Sequence, residues 1–132
     1  MTIRDLLRNT LMTPSLLPAA RTNGTFNGNT IDLRGFDSAF ITVSFGAWTD
    51  GTHTPSVQES TDGVNFTNAA TTDIDGTLAA ISSSAGSNTA QSVGYIGAQR
   101  YVRVVMTVSG ATNGAFSSAD VIAGHPHNAP TQ

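Results

Sequence analysis

The chain has no cysteine and no lysine, and only 11% of its residues are charged. Without cysteine there can be no disulfide, no thiolate nucleophile and no cysteine-held metal. That absence leaves the compartment open, since many secreted proteins also lack cysteine. Without lysine, six arginines face nine carboxylates, for a net charge of −3. The arginines (Arg4, Arg8, Arg21, Arg34, Arg100, Arg103) are scattered, so nothing reads as a basic patch for nucleic acid. No run of about 18 apolar residues exists, so no segment reads as a membrane-spanning helix. The early stretch "LLRNTLMTPSLL" is broken by polar residues and makes a poor signal-peptide core. The expectation is a protein folded in a cytoplasm.

Reactive motifs are missing too. There is no G-x-S-x-G, no P-loop and no G-x-G-x-x-G. Glu59 is the only glutamate. A paired-carboxylate glycosidase site would need it beside an aspartate, and no spacing points there. The chain reads as not an enzyme, with no catalytic residue and no cofactor.

What remains is threonine, serine, asparagine, glycine and a 39% hydrophobic fraction over 132 residues. That is the length of one domain, able to bury about two-thirds of its unfolded surface. From Gln99 to Gly110, "QRYVRVVMTVSG" places Val102, Val104, Met106 and Val108 at every second position. In "SAFITVSFGAW", Ala39, Ile41, Val43, Phe45 and Ala47 alternate with Ser38, Phe40, Thr42, Ser44 and Gly46. Period two is the mark of a strand with one buried face. Shorter strands are expected around Thr30–Leu33, on both sides of Asp62-Gly63 as a hairpin, and at "AFSSADVIAG". The last should pair back antiparallel after the turn at Gly110 and Asn113-Gly114. Asp50-Gly51 and Asp75-Gly76 are turn signals, and residues 82–90 read as a loop. Seven or eight short strands at about ten-residue spacing indicate an antiparallel β-sandwich, or a barrel-like closure of one. The 102–108 and 39–45 faces should meet across its core.

Residues 1–20 stand apart from the domain at 21–132. Ile3, Leu6, Leu7 and Leu11 fall at helical spacing, Thr2 and Asp5 resemble a capping box, and Pro14 and Pro18 forbid a long helix. The segment reads as a short amphipathic turn or an extended arm. Its leucines either cover an edge of the body or dock on a neighbouring subunit.

Other candidates are weaker. His125 and His127 would share a face of an extended chain and could help hold a metal. A polar tail beside proline explains them without one, and no metal is expected. Asp73 and Asp75 lack the further acids of a calcium loop and suit turns. Trp48, Tyr95 and Tyr101 could form a sugar platform, although Trp48 also suits a cap on the core. Arg100, Tyr101 and Arg103 border a core strand. They read either as a contact stripe on a partner, or as intramolecular pairs, for example with Asp120. On the first reading Arg103→Ala weakens partner binding and spares the fold.

Two segments together resemble a family. They are "IDLRGFDSAFITVSFGAWTDGTHTPSVQESTDGVNFT" and "GYIGAQRYVRVVMTVSGATNGAFSSADVIAGHPHNAP". Their "IDLxGF/YDSA" strand, "GAWTDGTHT" turn, "ESxDG" hairpin, "GYIGxxRYVRV" and terminal "GHPxxAP" resemble small structural proteins of tailed bacteriophages and prophages, over roughly residues 28–130. The resemblance implies a virion structural protein, first of all a capsid decoration or cement protein. Such a protein would be assembled in the host cytoplasm, placed on the capsid surface and bound to the major capsid protein. Few charges are present to guard exposed sheet edges, so a homo-oligomer or close packing on the shell is expected as well. Nucleic acid and membrane are not implied as partners. A tail or head–tail joining protein, or a carbohydrate-binding module on the virion, are the alternatives. The residues expected at the partner contact are Ile3, Leu6, Leu7, Leu11, Arg100, Tyr101 and Arg103.

Overall fold

The structure, a computed structural model, describes residues 6–128. Its strands are β1 (Thr10–Arg21), β2 (Gly24–Asn27), β3 (Ile31–Asp32), β4 (Phe36–Trp48) and β5 (Thr52–Ser60). They continue with β6 (Thr67–Asn68), β7 (Ile74–Asp75), β8 (Ala90–Tyr95), β9 (Tyr101–Ser109) and β10 (Ala115–Pro126). All pairings are antiparallel. The first sheet runs β1-β10-β4-β8-β7, and the second runs β2-β9-β5-β6 with β3 also on β9. The expected sandwich is therefore present, as two open sheets and not a barrel. There are more strands than expected because β1, β2 and β7 are not expected from the sequence: β1 is broken by prolines and bulges, and β2 and β7 are only four and two residues long.

The two alternating faces do share one core. Val102, Val104, Met106 and Val108 lie in the same buried cluster as Ala39, Ile41, Val43 and Phe45, joined by Val93 and Tyr95 of β8 and Val121 of β10. Each such side chain contributes about 1.5–3 kcal/mol by leaving water. Ala47 departs from the pattern and is exposed. The register slips between Ala115↔Trp48 and Ser117↔Phe45, a bulge that adds a residue to β4 and reverses the phase of its last turn. Trp48 thereby packs against the core, and its Nε1 donates to the Gly51 carbonyl at 2.9 Å.

The hairpin around Asp62-Gly63 forms as expected, with Gln58 opposite Asn68 and Glu59 opposite Thr67. β10 does not pair back onto β9. It crosses to the other sheet and lies between β1 and β4. The Asp50 carboxylate holds this crossing by accepting the backbone N–H groups of Thr112, Asn113 and Gly114 at 3.1, 3.1 and 2.6 Å. A tight hairpin would have put the apolar faces of β9 and β10 in one sheet. Crossing lets them meet across the core.

Residues 10–20 of the expected arm are part of β1, an outer strand that covers one edge of β10. Leu16 is buried in the core. Ser15 ties the edge to the other sheet, its Oγ accepting from Val104 N–H at 3.0 Å and donating to the Asn29 carbonyl at 2.9 Å. The helical spacing of Leu6, Leu7 and Leu11 yields only a 3-10 turn at Leu7–Asn9. Prolines and two bulges had hidden the strand: register breaks fall between Pro14 and Leu16 and between Leu16 and Ala19.

These features also guard the edges. Pro14 and Pro18 offer no N–H to an incoming strand, and bulges twist β1 away from one. At the other ends of the sheets stand β7, β6 and β2, of two, two and four residues. The outermost strands are thus blunted by proline, bulges or shortness.

Candidate functional site

Ile3 lies outside the described residues. Leu6 and Leu7 are 70% and 65% exposed beside the 3-10 turn, and Leu11 is 37% exposed on β1. The three do not share a helical face, because the chain is extended from Thr10 onward.

The stripe at Arg100, Tyr101 and Arg103 is brought together, on the outside of the second sheet, but it is engaged within the chain. Arg100 makes a bidentate pair with Asp32, Nε to Oδ1 at 2.9 Å and Nη2 to Oδ2 at 2.8 Å, and lies over the Tyr101 ring. Arg103 donates twice to Gln58 Oε1, at 2.9 and 2.7 Å, and stacks 4.0 Å from the Phe66 ring centroid. Its partner is not Asp120, which lies on β10 in the other sheet. Gln58 stands directly opposite Arg103 in the β5–β9 register. Beside it on the same face Val105 is almost fully buried. Arg103→Ala therefore should keep the fold but cost about 1 kcal/mol, from lost stacking and hydrogen bonds to a neutral amide. Urea unfolding reads this, and an unchanged midpoint would show that the contacts are idle.

The histidines part company. His125 adopts φ 49°, which turns the chain and removes the extended geometry that two imidazoles on one face require. Its Nδ1 meets Ser38 Oγ at 2.6 Å, while His127 Nε2 meets Asp37 Oδ1 at 2.7 Å. Among the described residues no three metal-ligating side chains converge. The aromatic platform does not form. Tyr95 is buried, and its hydroxyl donates to Glu59 Oε2 at 2.6 Å across the sandwich. Burial first, and that carboxylate second, push its pKa well up. Trp48 caps the core, and Tyr101 lies on the outside of the second sheet.

Three carboxylates are held below their ordinary range. Arg100 draws Asp32 down to about 2, chiefly by its hydrogen bond. Backbone amides lower Asp50, Gly114 most, and Asp62, Asn65 most. A depressed carboxylate binds its proton more readily in the unfolded chain. Its stabilisation is complete above the unfolded pKa, about 4, and is lost as pH falls through the folded value. Thermal midpoints should thus be level above about pH 5 and drop on acidification below about pH 4. Asp50→Ala should remove part of that drop in calorimetry, whereas an acid profile identical to wild type would deny the clamp.

The outer face of the first sheet was not singled out in the sequence. Inward Ala119, Val121 and Ala123 are buried, so Phe116, Ser118, Asp120 and Ile122 point outward. Register places Met12 and Phe40 on either side of Ile122, and Pro14 and Thr42 on either side of Asp120. Met12, Phe40 and Phe116 are 63%, 44% and 55% exposed. A depression of about 390 Å³ opens at one end, between Leu6, Phe40, Ile122 and Pro126. Another of about 280 Å³ opens at the other end, between Pro18, Ser44 and Phe116. The outward positions of the sheet carry two carboxylates, Asp120 centrally and Asp75 on β7, and no arginine. The signal available in the sequence was the even-numbered phase of β4 and β10, with Phe40, Phe116 and Ile122 where a solvated face would be polar.

Compared with known proteins, the chain matches no family model and no curated protein.

Proposed function

We propose that the chain is a virion structural protein of a tailed bacteriophage, and specifically a decoration or cement protein on the head. The observation that carries this reading is the pairing of a sealed core with one broad, nearly uncharged outer face. A cement protein requires a stiff body, no bond-making chemistry and a surface that adheres at many equivalent places. Modest contacts repeated over a lattice add through multivalency. The lysine-free, threonine- and serine-rich exterior suits extended polar and apolar contact, and the motif resemblance points the same way. The major capsid protein is the partner under this reading.

Copy number in purified virions tests it. The expected ratio to the major capsid protein is one or a simple fraction of one. A dozen copies or fewer per particle would instead place the chain at the head–tail joint or in the tail. Heads lacking the protein should release their DNA at lower temperature, or after milder osmotic shock, than complete heads. Equal survival would refute the cementing mechanism even for a protein located on the head.

A further inference from the structure

The outer face of the first sheet has properties that constrain what covers it. Its centre is Asp120, half-buried, with no hydrogen-bond or ion-pair partner among the described residues. Around it stand Met12, Pro14, Phe40, Ile122 and Phe116. Several charged side chains elsewhere in the fold are answered: Asp32 by Arg100, Asp50 and Asp62 by backbone amides, Arg103 by Gln58 and Phe66. Asp120 has no such partner, and unlike Arg34, Asp73 and Asp75, which also have none, it stands mid-strand between apolar side chains on an inner strand of its sheet.

We infer that this face docks on a protein surface presenting an arginine or lysine between two apolar projections. The cation would meet Asp120, and the projections would enter the depressions at either end. The inference rests on the reading above, which makes that surface part of the head shell. The charge of the face favours a heterologous partner over a second copy. A dyad on this face would set carboxylate against carboxylate with no arginine on the face to separate them.

The test uses heads made from the same phage genome with this gene deleted, mixed with purified full-length chain. Bound protein is measured by co-sedimentation at two ionic strengths. Wild type should bind, less tightly in high salt as the ion pair is screened. Asp120→Arg should weaken binding about a hundredfold, and Phe40→Ser or Phe116→Ser about tenfold each. Val64→Ser, at an apolar residue exposed elsewhere, should bind as wild type. Unchanged circular dichroism and melting would keep these losses from being folding defects. Failure of wild type to bind any head would overturn the proposed function itself. Binding by wild type that Asp120→Arg and the phenylalanine variants leave intact would overturn only this assignment of the face. So would a solution dimer that Phe40→Ser dissociates, since a second copy would then be the occupant.

Discussion

Gly114→Ala is expected to leave the chain unable to fold, or to fold only far below its normal melting temperature. The residue sits at φ +76°, where a side chain is already strained. More severely, a β-carbon there would lie inside the Arg21 carbonyl, against rigid backbone. The site joins three parts of the molecule. Gly114 N–H is held by Asp50, its carbonyl accepts from Thr49 N–H at 2.9 Å, and the Arg21 carbonyl that ends β1 presses against it. Moving any one of them opens the crossing from β9 to β10. Gly110 provides the comparison. It too has positive φ, +67°, but nothing lies within 4 Å of the β-carbon position. Gly110→Ala should therefore cost only the conformational penalty, about 1–2 kcal/mol. Denaturant unfolding of both variants separates backbone strain from steric exclusion. Equal losses would mean that the Arg21 contact relaxes freely.

The two glycines also show where reading the sequence stops. "SGATNG" announces a turn through Gly110 and Asn113-Gly114, and a turn is present. Whether the next strand pairs with the last or crosses to the opposite sheet depends on Asp50, more than sixty residues away in the chain. Local turn chemistry carries no trace of that. The long strands were legible because burial on one face imposes period two over many residues. β1 was not legible, because Pro14, Pro18 and two bulges break its alternation, and three leucines at helical spacing imitate a helix. His53 could have been found: it shares the odd-numbered inward phase with Pro55 and Val57, and is fully buried. Its Nε2 donates to the Asp50 carbonyl at 3.0 Å, leaving Nδ1 without a partner. Arg21 has no such signal. It is buried among the Leu17, Ala19 and Ser117 carbonyls and lies over the Phe26 ring, an arrangement created by the bulges themselves. For Arg100 and Arg103 pairing within the chain is one of two readings open in the sequence, but the identity of the partners, Asp32 and Gln58, depends on register, which one sequence cannot align.

Ile41→Ala and Phe40→Ala, one residue apart on β4, should differ severalfold in their cost. Ile41 is fully buried opposite Val121 on one side and Val93 on the other. Truncating it leaves a cavity between two sheets that cannot close on it from either side. The expected loss is about 2–5 kcal/mol, a large part of the roughly 5–15 kcal/mol that holds a domain of this kind folded. Phe40 points the other way, 44% exposed, and its truncation should cost about 1 kcal/mol or less. Urea midpoints of the two variants measure the difference. A loss at Phe40 as large as that at Ile41 would mean that the outer face supports the fold, and its apolar residues would need no other explanation. A small loss would leave phenylalanine at a solvent-facing position without a folding role. Serine or threonine serves at the neighbouring outward positions Ser38, Thr42 and Ser44, so stability does not demand an aromatic ring there. The ring adds apolar area beside Ile122 and Asp120, and contact with another surface is the use to which such area can be put.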